Sequence, residues 1–334
     1  MNKKIEMLGL IPVIKIKNTE EAIQVANALL DGGIQVAEVC FRVDKDVIDT
    51  QKSLQNIADG ITLIRKKFPD MLVGAGTVIN ADLAKKAIEA GAQFIVSPGF
   101  NPETVDFCIK KQIPIYPGVN CASQIEQAIA KNLSLVKFFP AEISGGITLI
   151  KAFLGPFPSM KFIPTGGVSI DTIGEYMQCE NVAAVGGSWM VKSNLIKNKK
   201  WEEITQLSRK AVHAMHGFEF AHVGINFKNA QDCAKGADEL EKLGFYGTEN
   251  NDSWFCGNNG FDAFELMKKK GRGKNGHIGV FVYSIERALA YLKQYGYTIV
   301  PETIKRCGND ENSPLVFTYL NKDINGFDIH LKRK

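Results

Sequence analysis

Leu135-Val136-Lys137-Phe138-Phe139-Pro140-Ala141-Glu142 is an apolar run broken by one lysine and ended by a proline. A strand buried on both faces reads this way: short, continuously apolar, and stopped by a residue that cannot extend a hydrogen-bonded ladder. Burying a lysine there as a cation is costly, so the position favours the neutral amine. A neutral amine on a rigid strand is what condensation with a carbonyl substrate requires. The same lysine also fits an edge strand, where its charge would block pairing with other chains.

The segments on either side of this run decide between those readings. Strand-like apolar runs recur at 11–16, 35–40, 72–75, 94–96, 113–116, 135–138, 162–163 and 182–185. Amphipathic helical stretches lie between them, among them 20–30, 81–89, 103–110, 123–130, 170–177 and 201–211. Strands that alternate with helices over about two hundred residues predict an α/β fold, a (β/α)8 TIM barrel. An open doubly wound sheet is the other arrangement, and the even spacing favours closure. In such a barrel the active site lies at the carboxyl ends of the strands. Those ends carry Glu38 to Arg42, Gly74-Ala75-Gly76-Thr77, Ser97-Pro98-Gly99, Lys137, Pro164-Thr165-Gly166-Gly167 and Gly186-Gly187-Ser188.

With 334 residues the chain is long for one domain, and its net charge of +4 is spread along it. Two domains are expected. The one dense basic cluster, Lys268 to Lys274, has no interleaved aromatics and reads as a solvated loop, so no nucleic-acid partner is expected. No window approaches a membrane span. The basic N-terminus is followed by a short apolar stretch broken by Pro12 and Lys15, which does not read as a signal peptide. The 7 cysteines are scattered and form no Cys-x-x-Cys pair. That pattern suits reduced thiols in the cytoplasm.

Each strand end has a chemical use. Glycines at 166, 167 and 187 let backbone amides approach an anion, and the loops after strands seven and eight are the usual phosphate site of such barrels. Tight turns alone would also explain them. Glu38, between Ala37 and Val39, is a buried carboxylate if it points inward, suited to moving protons. Arg42 can grip a carboxylate through two parallel hydrogen bonds. An interior ion pair or solvated charges would place the same two residues there.

Taken in order, Glu-x-x-x-Arg, Gly-Ala-Gly-Thr, Ser-Pro-Gly, Lys-Phe-Phe-Pro-Ala-Glu, Pro-Thr-Gly-Gly and Gly-Gly-Ser resemble the 2-keto-3-deoxy-6-phosphogluconate (KDPG) aldolases, also called 4-hydroxy-2-oxoglutarate aldolases, over residues 5–213. The resemblance implies that Lys137 is the Schiff-base lysine and Glu38 the general acid/base. It implies that Arg42 and Thr77 bind the pyruvate-derived carboxylate and that Pro98 packs beside the pyruvyl methyl. Thr165, Gly166, Gly167, Gly187 and Ser188 then form the phosphate side. It also implies a homotrimer and a metal-free mechanism with no cofactor. Cys40 stands where the family often has threonine, and Lys15 where many members have arginine.

After residue 214 the pattern changes, and residues 218–334 form a second expected domain. His222-Val223-Gly224 opens one half and His277-Ile278-Gly279 the other, each followed by an amphipathic helix and short strand-like runs. This internal repeat predicts an α+β domain of two βαβββ modules. It resembles the vicinal oxygen chelate superfamily, which includes glyoxalase I. By that resemblance His222, Glu265, His277 and His330 meet at a divalent metal, with His330 where the family often has glutamate. A first-row transition metal or zinc suits such ligands. A metal-free binding cup is the other form.

The sequence thus predicts a class I aldolase barrel, residues 1–214, fused to a glyoxalase-like domain. The expected reaction is cleavage of KDPG to pyruvate and glyceraldehyde 3-phosphate, with 4-hydroxy-2-oxoglutarate a second substrate. The alternative is another phosphate-binding barrel, an isomerase or epimerase, with the C-terminal domain a metabolite sensor.

Overall fold

The computed structural model describes residues 1–43, 48–311 and 313–334. Internal contacts divide the chain into Met1–Met215 and His216–Lys334.

In the first unit, strands β1 (Leu10–Ile14), β2 (Val36–Cys40), β3 (Leu72–Gly76), β4 (Ile95–Val96), β5 (Ile115–Tyr116), β6 (Gly118–Val119), β7 (Leu135–Phe138), β8 (Lys161–Pro164) and β9 (Val185–Gly187) all run parallel. They form one sheet of order β5-β4-β3-β2-β1-β9 and another of order β6-β7-β8. Pro117 separates β5 from β6; it has no N–H to give to a ladder, so one stave is interrupted there. Bridges Phe162↔Val182 and Thr165↔Gly186 tie β8 to the last stave and close the barrel. Asparagines 18, 80 and 101 accept backbone N–H bonds at the starts of helices Thr19–Asp31, Ala81–Glu89 and Pro102–Lys110. Each such cap is worth about 1 kcal/mol.

Two details of the barrel depart from the sequence expectation. The last strand is Val185–Gly187, displaced from the expected 182–185. Val182 makes only a single bridge to β8, while Leu10, Ile11 and Pro12 of β1 pair with Val185, Gly186 and Gly187. The apolar triplet before the strand is buried, so hydrophobicity alone marked the wrong residues. The N-terminus is a helix, Asn2–Leu8, with Ile5 fully buried. Its Asn2 amide donates to Ser134 Oγ at 3.2 Å, and Glu6 pairs with Lys161. Both partners stand at strand starts, so this helix stops the amino-terminal end of the barrel.

In the second unit, β10 (Glu219–Asn226), β11 (Tyr246–Glu249), β12 (Ser253–Asn258), β13 (Phe261–Met267), β14 (Gly276–Val282), β15 (Lys305–Arg306), β16 (Leu315–Ile324) and β17 (Phe327–Arg333) make one sheet of order β11-β12-β13-β10-β14-β17-β16-β15. With helices Ala230–Lys242 and Ile285–Leu292 this is βαβββ twice. The two opening strands, β10 and β14, meet antiparallel at the centre. Each pairs in parallel with the last strand of its own module, β13 or β17. The helices cover one face of the sheet through cores around Cys233 and Leu266 in one module and Ile285 and Leu331 in the other. Strand alternation then sends the histidines to the opposite face. Among the described residues no helix is long and apolar enough to cross a membrane.

Candidate functional site

Val136 and Phe138 of β7 face the helical layer, where Phe138 meets Phe153 and Phe162 edge-on at 6.5 and 6.3 Å. The pleat therefore turns Lys137 into the barrel. On β2 the same alternation turns Glu38 inward. Lys137 Nζ donates to Glu38 Oε1 at 3.3 Å, and both side chains are buried. The ring of Phe139 lies 5.2 Å from the amine. A strand-borne amine is thus held in a shielded mouth, against a carboxylate that can exchange protons with it or with a bound molecule.

Room for this contact is made by glycines on the next strand. A Cβ at Gly76 would stand 2.1 Å from Glu38 Oε1, and one at Gly74 would meet the Phe94 ring at 2.3 Å. Thr77 follows with φ 58°, a rare conformation for a β-branched residue. Its hydroxyl lies 3.2 Å from Cys40 Sγ. Pro98 sits at the next strand end, its carbonyl packed so closely under Gly118 that a Cβ there would come within 2.1 Å. Arg42 is exposed at the rim of a cavity of about 560 Å³ that Lys15, Lys17 and Lys197 also line. Glu21 lines the same cavity, so four cations stand against one carboxylate there, an excess that attracts anions to it.

The glycine loop forms the opposite side. Gly166 and Gly167 have φ 98° and 88°, where a side chain is strained. The loop is stitched to the segment after β7: Ala141 N donates to Thr165 O at 2.8 Å and Glu142 N to Gly166 O at 3.0 Å. Glu142 Oε1 accepts a 2.6 Å bond from the Tyr176 hydroxyl. Burial, and then that bond, raise the Tyr176 phenol well above its usual range, so it stays a donor. Ser188 is exposed at the neighbouring strand end. Gly187 is buried beneath Trp189, whose ring a Cβ would meet at 1.8 Å, so packing alone requires glycine there.

The fold thus brings Lys137 and Glu38 into contact and sets Arg42, Thr77, Pro98, Thr165, Gly166, Gly167 and Ser188 at carboxyl ends of parallel strands. Sequence reasoning missed the Glu142–Tyr176 brace, the Cys40–Thr77 contact and the space at Gly76. The glycines on alternate positions of β3 were the available signal for the last.

The second unit gathers a different set. His222 Nε2 lies 3.1 Å from both His277 Nε2 and His330 Nε2, and 3.3 Å from Glu265 Oε2. Glu265 Oε2 is also 3.1 Å from His277 Nε2. One imidazole nitrogen carries either one proton or one lone pair, so three such contacts are not satisfied as hydrogen bonds. Donors held about 2.0–2.2 Å from a shared ion stand about this far apart. The two-fold register explains the convergence: His222 opposes Gly279, and His277 opposes Gly224. A Cβ at Gly224 would meet the His277 ring at 2.0 Å, and one at Gly279 both other rings at 2.9 Å.

Burial would raise the Glu265 carboxyl, but its contacts with His222 and His277 outweigh it and hold the group well below the carboxylate range. Burial, then the charges of His222 and His277, bring His330 down to about 3. Ser253 Oγ donates to Glu265 Oε1 at 3.1 Å and fixes the carboxylate. Nδ1 of His277 and of His330 has no partner among the described residues. The His330 ring is oriented by packing instead, against Phe317 at 4.7 Å and Tyr319 at 5.2 Å.

A family model described as KDPG and KHG aldolase matches residues 1–207. The 2-dehydro-3-deoxy-phosphogluconate aldolase of Haemophilus influenzae is 40% identical over 210 residues, 63% of this chain and 94% of that protein. The KHG/KDPG aldolase of Escherichia coli K12 is 37% identical over 202 residues, 60% of this chain and 90% of that protein. Among solved structures, the KDPG aldolase of Legionella pneumophila, with pyruvate captured as a covalent carbinolamine, is 38% identical with a TM-score of 0.58, over 63% of this chain and 98% of that one.

Proposed function

The chain belongs to the KDPG and KHG aldolase family, and from that premise we propose that its barrel is a class I aldolase that cleaves 2-dehydro-3-deoxy-6-phosphogluconate to pyruvate and glyceraldehyde 3-phosphate. The observation that carries this is the buried Lys137–Glu38 contact, 3.3 Å long at the carboxyl end of the barrel. The Lys137 amine adds to the substrate ketone to give a carbinolamine, which loses water to give an iminium ion. The iminium draws electrons from the bond two carbons away. That bond breaks as the adjacent hydroxyl gives up its proton to the Glu38 carboxylate, directly or through a water, and the phosphorylated aldehyde departs. The remaining enamine takes a proton with the help of Glu38, and hydrolysis frees pyruvate and the lysine. The protonated imine is the electron sink, so the steps call for no metal. In this reading Arg42 and Thr77 hold the carboxylate, and Pro98 packs against the pyruvyl methyl. Thr165, Gly166, Gly167, Gly187 and Ser188 take the phosphate.

An isomerase or epimerase would have no use for a buried amine on this strand. 4-Hydroxy-2-oxoglutarate, which would give glyoxylate in place of the triose phosphate, lacks the phosphate but offers the same ketone. A coupled assay of pyruvate release tests the reading. Pyruvate from KDPG, with a smaller yield per enzyme from the unphosphorylated substrate, is expected; no release from either contradicts it. A cytoplasmic homotrimer belongs to the same reading, and light scattering of the full chain checks the assembly.

For the second unit the reading is a vicinal-oxygen-chelate-like domain, in which His222, Glu265, His277 and His330 hold a divalent first-row metal or zinc. The donor set supports it, since three imidazoles and one carboxylate suit those ions better than magnesium or calcium. Such an ion supplies Lewis acidity toward a bound oxygen. The chain's own residues aim the donors, bury them and keep the carboxylate ionised.

A further inference from the structure

The cavity beside the histidine cluster has a volume of about 680 Å³. That is far more than an ion needs and falls in the range of small-molecule sites. Its apolar lining combines the rings of Phe255, Phe317 and Tyr319 with Met267, Ile304 and Val316. Its charge is one-sided. Lys305, Lys332 and Arg333 line it, and the one carboxylate beyond the cluster, Glu302, is already paired with Arg272 at 3.4 Å. Among the described residues no carboxylate forms an ion pair with Lys305, Lys332 or Arg333.

The two lysines rest on aromatic faces instead. Lys305 Nζ is 5.2 Å from the Phe317 ring and Lys332 Nζ 5.6 Å from the Phe281 ring. Such contacts at exposed sites are weaker than a charge-assisted hydrogen bond to a carboxylate. The placement of both lysines is set by the sheet: Lys332 follows His330 by two residues on β17, and Phe317 pairs with Lys332 across β16. Lys305, Lys332, Phe317, Tyr319 and the cluster thus share one face, and Arg333, next to Lys332 on the strand, alternates away from it.

We propose that this cup binds a planar organic carboxylate, its charge taken by Lys305 and Lys332, its flat body laid against Phe317 and Tyr319, and a second oxygen directed at the histidine–glutamate cluster. The proposal rests on reading the cluster as a metal site, and its test separates the two. Salicylate and salicylamide are matched probes, alike in shape and adjacent oxygens but differing in charge. Calorimetric titration of the zinc-loaded full chain with each should give a Kd for salicylate lower by about tenfold or more. The Lys305→Met/Lys332→Met double variant should lose that advantage, with zinc content, salicylamide affinity and melting temperature unchanged. Equal affinity for the two probes, or a double variant that binds salicylate as tightly as the parent, overturns the proposal. Failure of the full chain to retain zinc on dialysis, with a lysine-dependent salicylate preference still present, upholds the anion site and overturns the metal reading alone.

Discussion

A methyl group at Gly76 would stand 2.1 Å from Glu38 Oε1, so this glycine decides whether the carboxylate can reach Lys137. The Gly76→Ala variant is expected to fold, as judged by circular dichroism, and to lose about a hundredfold or more in kcat for pyruvate release, because a displacement of about 1 Å costs that much. A variant with parental kcat would show that the 3.3 Å contact is dispensable. Tyr176→Phe removes the hydrogen bond that braces Glu142 against the glycine loop. KM for the phosphorylated substrate should rise by about tenfold, the loss of about 1.4 kcal/mol, while KM for 4-hydroxy-2-oxoglutarate holds. An equal rise for both would place the brace elsewhere than at the phosphate side. Lys137 and Glu38 were legible in the sequence because a charge inside an apolar run is anomalous within a single window. Gly76 and Tyr176 were not. Their importance comes from Glu38 on the neighbouring strand and Glu142 in a distant loop; the alternate glycines 74 and 76 mark space on β3 but not what fills it, and nothing local marks Tyr176.

At the scale of elements, the two opening strands of the second unit show how a repeat becomes a site. His222-Val223-Gly224 and His277-Ile278-Gly279 lie antiparallel, so each histidine falls opposite the other strand's glycine. The glycine is the space the ring occupies. Gly279→Ala would press on His222 and His330 together, and Gly224→Ala on His277. Either is expected to reduce bound zinc well below one equivalent, measured by elemental analysis, while secondary structure is kept. Full zinc occupancy in both would contradict the assigned ligands. The repeat itself was readable from the chain, and so were the four candidate ligands. The register that joins them was not, since strand pairing between modules leaves no mark at fixed sequence spacing. The last barrel strand shows the opposite failure. Val182 to Ala184 are apolar and buried like a strand, yet the pairing with β1 is made by Val185, Gly186 and Gly187.

At the scale of the molecule, two chemistries of different kinds share one chain. On the proposed reading the barrel's electron sink is an imine built from its own lysine, whereas the second unit's cluster holds an ion. Metal removal should therefore separate them. Dialysis against a chelator is expected to leave pyruvate release from KDPG unchanged and to lower the melting transition of residues 216–334. An ion present at about a hundred times its Kd contributes about 2.7 kcal/mol to a folded state. Loss of aldolase activity on chelation would instead place a metal in the barrel reaction. The alternation of strands and helices made the closed barrel legible, because each unit repeats the same pattern. The plug at its amino-terminal end was hidden, since seven residues around one buried isoleucine give too short a pattern to read. The most direct measurement is reductive trapping: the full chain incubated with pyruvate and borohydride, digested, and examined by mass spectrometry. The account predicts one reduced pyruvyl group per chain, on the peptide that contains Lys137, and none in a Lys137→Met variant. Labelling of that variant equal to the parent's, or a label on any other lysine, would contradict it.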